Sequence, residues 1–260
     1  MKNRLKELLI HPLIRHRCID APETVGCVDQ IIQSKPFLKK LYTQWYTELA
    51  GLIPEAVEGP ILELGSGAGC LENHIPRLIK SEILQTQGID IVLDAKNLPV
   101  GREKLSGIVM VDVLHHLSDA ESFFKEASYC IKPKGRIIML EPWVTCWSKF
   151  IYTKLHHEPF DDKAEEWKFP EGGALSQANS ALPWIIFHRD KSFFERKFPD
   201  WAIQKIRLHT PFAYLVSGGV SLRSFLPNFS YWFVRKTENA MNPWINKLAM
   251  FATIHLQRKP

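Results

Sequence analysis

The sequence is short of the features that would place it at once. Its five cysteines, Cys18, Cys27, Cys70, Cys130 and Cys146, are odd in number, and no two stand in C-x-x-C spacing. A disulfide framework and a thiolate metal site are both disfavoured, and free thiols of a reducing cytoplasm are expected. No window offers about 18 uninterrupted apolar residues, so no membrane-spanning helix is expected. The apolar start is broken by Glu7, His11 and Pro12, which argues against a signal peptide. There is no run of five like charges, and the net charge of +5 is too diffuse to point to nucleic acid. No H-E-x-x-H pair suggests a metal site, and no metal is expected. Internal repeats are absent.

What is present is a change of rhythm along the chain. Residues 1–57 carry helical stripes. Leu5, Leu8, Leu9 and Leu13 form one, and Phe37, Leu38, Leu41, Trp45, Leu49 and Leu52 form a second, with Asp20 or Thr24 placed to cap a turn between them. This segment reads as an N-terminal helical cap. Its basic, amphipathic start allows peripheral contact with a membrane. From Gly59 strands alternate with helices. Short apolar runs at 61–64, 79–84, 89–94, 107–114 and 136–142 read as strands. Cys70 to Ile79 reads as a helix, and so does 121–131, which the turn Lys132-Pro-Lys-Gly135 is expected to stop. Such alternation predicts a mostly parallel sheet covered on both faces. Residues 58–143 form this half, within a single domain spanning 1–260.

After Trp143 the alternation stops. Residues 144–189 and 218–243 read as two insertions, rich in turn formers and in aromatics such as Trp147, Phe160, Trp167, Phe229 and Trp232. Loops this long in a compact domain are usually functional, and their aromatics suggest an apolar-walled substrate pocket. A helix is expected over 190–198, and strands over 203–209 and 251–259.

The strongest local signal is Ile61-Leu-Glu-Leu-Gly-Ser-Gly-Ala-Gly69, a buried strand that ends in a glycine-rich turn. Gly65 and Gly67 permit backbone conformations that a Cβ hinders and let a ligand approach the main chain. A following helix N-terminus would offer free N–H groups to an anion. The dinucleotide fingerprint needs a further glycine where Cys70 stands. A carboxylate at Glu63, inside the strand, is costly to bury unless paired. It suits a turn anchor or a contact with a cationic ligand.

Three more segments follow in order: Asp94-Ala-Lys-Asn-Leu-Pro99, Val111-Asp-Val-Leu-His-His-Leu117, and Ile131 to Trp143. With these four motifs the chain resembles the class I S-adenosylmethionine-dependent methyltransferases over residues 61–143. The resemblance implies an α/β, Rossmann-like, mostly parallel seven-stranded sheet with helices on both faces and an antiparallel last strand. It implies S-adenosyl-L-methionine as cofactor. Glu63, Gly65, Ser66, Gly67 and Gly69 would hold its methionine half, Asp94 and Ala95 would border the adenine, and Asp112 would lie near it. The ribose acid is Glu82 or Asp90. Glu82 stands 82 − 63 = 19 positions after Glu63 and is favoured by the usual spacing of about 20. Only 94 − 82 = 12 positions then lead to Asp94, too few for the family's usual third helix.

The acceptor is expected to be a small molecule, apolar or linked to lipid or glycan, and not a nucleic acid. An oxygen acceptor needs a base, and histidine suits neutral pH. The candidates are His115 and His116 after the fourth strand, and His156, His157 and Glu158 in the first insertion, with His157 favoured because it adjoins Glu158. Two other classes remain in view. One is a non-catalytic binding or scaffold protein on the same fold. The other is a nicotinamide-dependent oxidoreductase, disfavoured by Cys70 and by the lack of a Tyr-x-x-x-Lys pair.

Overall fold

The computed structural model describes residues 9–18, 20–54, 56–67, 70–156, 158–170, 172–173 and 176–260. Seven strands form one sheet: β1 (Ile61–Leu64), β2 (Leu78–Glu82), β3 (Ile91–Val92), β4 (Leu105–Val111), β5 (Ile131–Pro142), β6 (Trp201–His209) and β7 (Phe251–Arg258). Their order is β3-β2-β1-β4-β5-β7-β6. The pairs from β3 to β5 are parallel, and β7 runs antiparallel to both β5 and β6. The order reverses direction between β1 and β4. Open α/β sheets bind ligands at such a switch point, beyond the strands' carboxyl ends.

The central strands are apolar on both faces because both faces are covered. Leu62, Leu64, Ile108, Met110, Ile137 and Met139 point into one core layer, together with Phe123 and Phe124 of α3 (Ala120–Cys130) and Phe194 of α5 (Lys191–Lys197). The intervening Ile61, Val109, Ile138 and Leu140 point into the other. There they meet α2 (Pro36–Ala50), which follows the short α1 (Cys27–Ser34), and α4 (Cys146–Lys154). Pro36 opens α2 at a position where its missing N–H costs nothing. Phe37, Leu38, Leu41, Trp45 and Leu49 then recur at helical spacing, each at most 1% exposed. The N-terminal cap is thus part of the main core. Residues 1–8, and with them Leu5 and Leu8, lie outside the described residues. Among the described residues no helix is long and apolar enough to cross a membrane, and no cysteine forms a disulfide.

Several local expectations need correction. The helix expected from Cys70 to Ile79 is only a single 3-10 turn, Leu71–Asn73. Pro76 disfavours helical backbone just before it, and Arg77 sits at φ +60°, so the chain turns directly into β2. The segment Lys132 to Gly135 does not separate helix from strand. It lies within β5 as a bulge, where pairing jumps from Leu105–Ile131 to Gly107–Arg136. Neither Asp20 nor Thr24 caps the short helical turn Pro22–Val25. Asp20 accepts hydrogen bonds from the Ser176 amide (2.8 Å) and hydroxyl (2.6 Å), and Thr24 donates to the Cys18 carbonyl (2.6 Å). The connection between β2 and β3 is a loop without a helix, as the spacing requires.

The two insertions are structured. The first contains α4, which starts with a reciprocal cap between Thr145 and Ser148. The second is bounded by α6 (Ala213–Ser217) and contains α7 (Tyr231–Ala240). Buried Glu238 of α7 accepts the amides of Phe212 and Ala213 (both 2.7 Å) and pairs with Arg235. Buried Lys35 donates to the carbonyls of Gly219 and Leu222. These contacts fasten the second insertion over α2.

The β5 bulge has a testable consequence. A Cβ at Gly135 would lie 2.5 Å from Ile131 Cγ2 and 2.7 Å from the Ser106 carbonyl oxygen. Gly135→Ala is expected to destabilise the fold by about 1–3 kcal/mol through overpacking, read as a lower midpoint in urea. An unchanged midpoint would show that the bulge relaxes freely.

Candidate functional site

The carboxyl ends of β1, β2 and β4 open into a cleft with about 740 Å³ of empty space, counting the part open to solvent. Gly65, Gly67, Glu82, Asp94, Ala95 and Asp112 line it, as do Val113 and His116. Val25 and Val28, from the N-terminal cap, form part of its rim.

The glycine turn leaves β1 with Gly65 at φ +67° and Gly67 at φ +33°, a region that favours glycine. A Cβ on Gly65 would strike Val113 Cγ2 at 2.5 Å, whereas on Gly67 it would meet nothing nearer, among the described residues, than the Gly65 carbonyl at 3.8 Å. The space over Gly67 is therefore open toward a ligand. The Gly67 amide donates to Glu82 Oε2 (3.2 Å), and the Ile83 amide donates to Glu82 Oε1 (2.9 Å). Burial raises the Glu82 carboxyl above its ordinary pKa. Asp90 stands elsewhere: it is exposed, it is not among the cleft residues, and it accepts the Lys80 amide (2.8 Å). Ser66 turns away from the cleft into the sheet, where its hydroxyl accepts the Ser81 amide (3.0 Å). Gly69 lies outside the described residues.

Glu63 is buried, and its Oε2 has no hydrogen-bond partner among the described residues. Burial pushes its pKa up to about 8, against weaker opposing pulls from Ser66 and Lys80. Glu63 is not itself among the cleft's lining residues, but its orphaned carboxyl oxygen, two residues before Gly65, and the open glycine turn fit a ligand with a cationic group and a close approach to main chain. Asp112 follows β4 at φ +56°. Its pKa is pushed up to about 8 by burial, with Glu141 and Glu158 adding to the effect.

Beside this cleft the structure gathers four of the five proposed catalytic residues; the fifth, His157, lies outside the described residues. His115 donates from Nδ1 to Glu141 Oε2 (2.7 Å). Its Nε2 lies 3.4 Å from Glu158 Oε2. His116 Nδ1 is 3.0 Å from the Gln177 carbonyl, which can only accept, so that nitrogen carries the proton. His116 Nε2 then faces Glu158 Oε1 at 3.9 Å. His156 Nδ1 is 3.7 Å from Glu158 Oε2. The pKa of His115 is pushed up to about 10: burial opposes protonation, but Glu141 and Glu158 outweigh it. His116 is pushed down to about 4 by burial and by its charged neighbour His115. Glu158 is held well below the usual carboxylate range by the three histidines, against its own burial.

Sequence reasoning missed Glu141. Its one available signal was an acid near the end of an apolar strand, and it is 0% exposed. Its Oε1 accepts the amides of Val113 (2.9 Å) and Leu114 (2.7 Å).

Residues 36–207 match the family described as methyltransferase domain. The chain belongs to this family of class I methyltransferases. The cofactor of the class is S-adenosylmethionine. A search of curated proteins gives no match. Among solved structures, the chain is similar to a methyltransferase in complex with the Haloferax volcanii Trm112 methyltransferase activator (9% identity, TM-score 0.48, covering 90% of this chain and 97% of that one). It is similar to S-adenosylmethionine-dependent methyltransferases from Listeria monocytogenes (10%, 0.47, 83% and 98%) and Mesorhizobium loti (14%, 0.46, 81% and 96%). Family membership rests on the match over 36–207, not on these distant likenesses.

The orphaned carboxyl makes stability depend on pH. With a folded pKa of about 8 against an ordinary 4.5, folded Glu63 keeps a proton that the unfolded chain loses between these values. Its contribution is present below pH 4.5 and is lost as pH rises toward 8. Glu63→Gln should therefore raise Tm relative to wild type at pH 8 and match it at pH 4. Parallel melting curves across that range would refute the assignment.

Proposed function

We propose that this chain transfers a methyl group from S-adenosylmethionine to a small, largely apolar acceptor that reacts through oxygen. The observation that carries the reading is the continuity of the glycine-turn cleft with the imidazole–carboxylate cluster, since His116 belongs to both. The chemistry the cofactor supplies when bound is a methyl group on a sulfonium, whose electron pair returns to sulfur as the acceptor oxygen attacks. The chain's own residues position, exclude water and remove a proton. Glu63, Gly65, Gly67 and Gly69 take the methionine half, with Ser66 bracing the turn. Glu82 accepts the ribose hydroxyls, Asp94 and Ala95 flank the adenine, and Asp112 borders the reacting end. His157, next to Glu158, takes the acceptor's proton, while His115, His116, His156 and Glu158 hold the reacting hydroxyl.

The outward face of α7 and of the 3-10 turn before it (Asn228–Ser230) supports an apolar acceptor delivered from a membrane surface. Phe229, Trp232 and Phe233, spaced i, i+3, i+4, are 87%, 71% and 75% exposed. Between residues 210 and 250 the only acid is Glu238, which is buried and paired, while Arg223, Lys236 and Lys247 are exposed. Exposed aromatics beside unopposed basic residues suit peripheral contact with an anionic lipid surface. The free thiols support a reducing compartment such as the cytoplasm.

S-Adenosylhomocysteine is expected to raise Tm in proportion to its excess over Kd, and NADP to leave it unchanged. Glu82→Ala should weaken that ligand about 10-fold or more through loss of charge-assisted hydrogen bonds, and Asp90→Ala should not. A shift with NADP alone would overturn the cofactor, and the reverse ranking would move the ribose contact to Asp90.

Turnover is expected with apolar or lipid-linked hydroxyl compounds in an acceptor panel. With such an acceptor, His157→Ala should lower kcat by about 10²–10⁴-fold and leave S-adenosylhomocysteine affinity unchanged. Full turnover by the variant would remove His157 from the mechanism. Cofactor binding without turnover of any acceptor would favour a non-catalytic scaffold.

A further inference from the structure

We infer that His115, His116 and Glu158 form a binding site for one divalent first-row transition metal ion at the acceptor end of the cleft. The inference deepens the function proposed above and rests on it for the ion's role, though not for the ion's binding.

The geometry of the two histidines is the starting point. Each has its Nδ1–H committed, His115 to a carboxylate at 2.7 Å and His116 to a backbone carbonyl at 3.0 Å. Metal-bound histidines are oriented in this way, by an outer partner that fixes the ring and leaves the other nitrogen for the ion, which at His115 takes the place of the Nε2 proton. Both remaining Nε2 atoms face the same carboxylate. Their separations from it, 3.4 and 3.9 Å, are longer than good hydrogen bonds. Donors that share an ion at about 2.1 Å in tetrahedral geometry stand about 3.4 Å apart. One donor atom from each of the three residues lies within 4.8 Å of the others, so small side-chain rotations would bring the set onto one ion.

The electrostatics agree. The charges acting most strongly on Asp112 are His115, Glu141 and Glu158, and those on Glu158 are the three histidines. Asp112, Glu141 and Glu158 thus gather around the two histidines, and among the described residues no Lys or Arg side chain is one of the groups acting most strongly on Asp112 or Glu158. Two imidazoles and one carboxylate favour zinc, cobalt or iron over magnesium or calcium, which prefer oxygen ligands. Three protein donors leave positions open, and His116 borders the cleft. A hydroxyl of the acceptor bound there would lose its proton more readily to His157, and the ion would hold the oxygen in line for attack.

The test needs no acceptor. Protein freed of metal with a chelator is titrated with Co²⁺ alone and followed by its visible absorption. Zn²⁺ competition and S-adenosylhomocysteine calorimetry are run on the same preparation. The expected result is one equivalent of Co²⁺, displaced by Zn²⁺ but not by Mg²⁺. Glu158→Gln and His116→Gln should each weaken Co²⁺ binding by at least about 10²-fold, since outer partners alone cost 10–100-fold, while S-adenosylhomocysteine still binds Glu158→Gln as the sign of a folded cleft. If wild type binds no stoichiometric ion, the cluster is a plain His115–Glu158 ion pair and the inference fails. It fails equally if both variants bind Co²⁺ as wild type does, since the ion then sits elsewhere, for example at a free cysteine. Loss of S-adenosylhomocysteine binding in wild type would overturn the proposed function and leave the ion site standing.

Discussion

Glu141 ends β5 fully buried, and its carboxylate accepts three hydrogen bonds. Two come from the amides of Val113 and Leu114, where the chain leaves β4. The third comes from His115. A buried carboxylate is tolerable only when it is satisfied in this way, and removing one partner of such a set typically costs several kcal/mol. The bonds join the ends of two adjacent parallel strands and fix the backbone at Asp112, which holds φ +56°. They also aim the His115 ring at Glu158. The cleft wall, the left-handed residue beside it and the histidine cluster thus share one anchor.

The glycine-turn side of the cleft is held by looser means. Its glycine turn is not followed by a full helix, so the anion-binding helix terminus common in nucleotide folds is replaced here by side-chain contacts. Glu82 receives the Gly67 amide, and Ser66 is tied to Ser81 by its hydroxyl and its own amide. These bonds hold the turn against β2, leaving the face of Gly67 open. The short crossover makes the turn depend on the β1–β2 register more than on helix packing.

Above the sheet, two buried charged residues position the second insertion. Lys35 holds its Gly219 and Leu222 carbonyls, and Glu238 caps the start of α6. Tyr214 of α6 packs on Trp45 (5.8 Å between centroids) and Phe251 (5.0 Å). The insertion that displays the exposed aromatics is therefore coupled through α6 to the same core that carries α2. This arrangement keeps Phe229, Trp232 and Phe233 facing outward while their neighbour Tyr231 is buried against Phe37.

The sequence by itself determined where most strands run and where the glycine turn falls, because those depend on local period and on glycine, while the antiparallel last strand was implied by the family resemblance. Spacing favoured Glu82 over Asp90, and the resemblance pointed to Asp94; both Glu82 and Asp94 line the cleft, and Asp90 does not. The sequence could not reveal Glu141, whose importance arises only when β5 pairs with β4 and brings residue 141 against residues 113–115. Nor could it show that His115 and His116 meet Glu158, some 40 positions later. The short 3-10 turn after Gly67 and the bulge inside β5 were hidden for a related reason. Pro76 and Gly135 look like simple breakers in sequence, but what each breaks is set by how far the next strand must travel to pair. Tertiary structure alone decided the histidine–carboxylate cluster, because long insertions carry no periodic signal and converge only through contacts between distant segments.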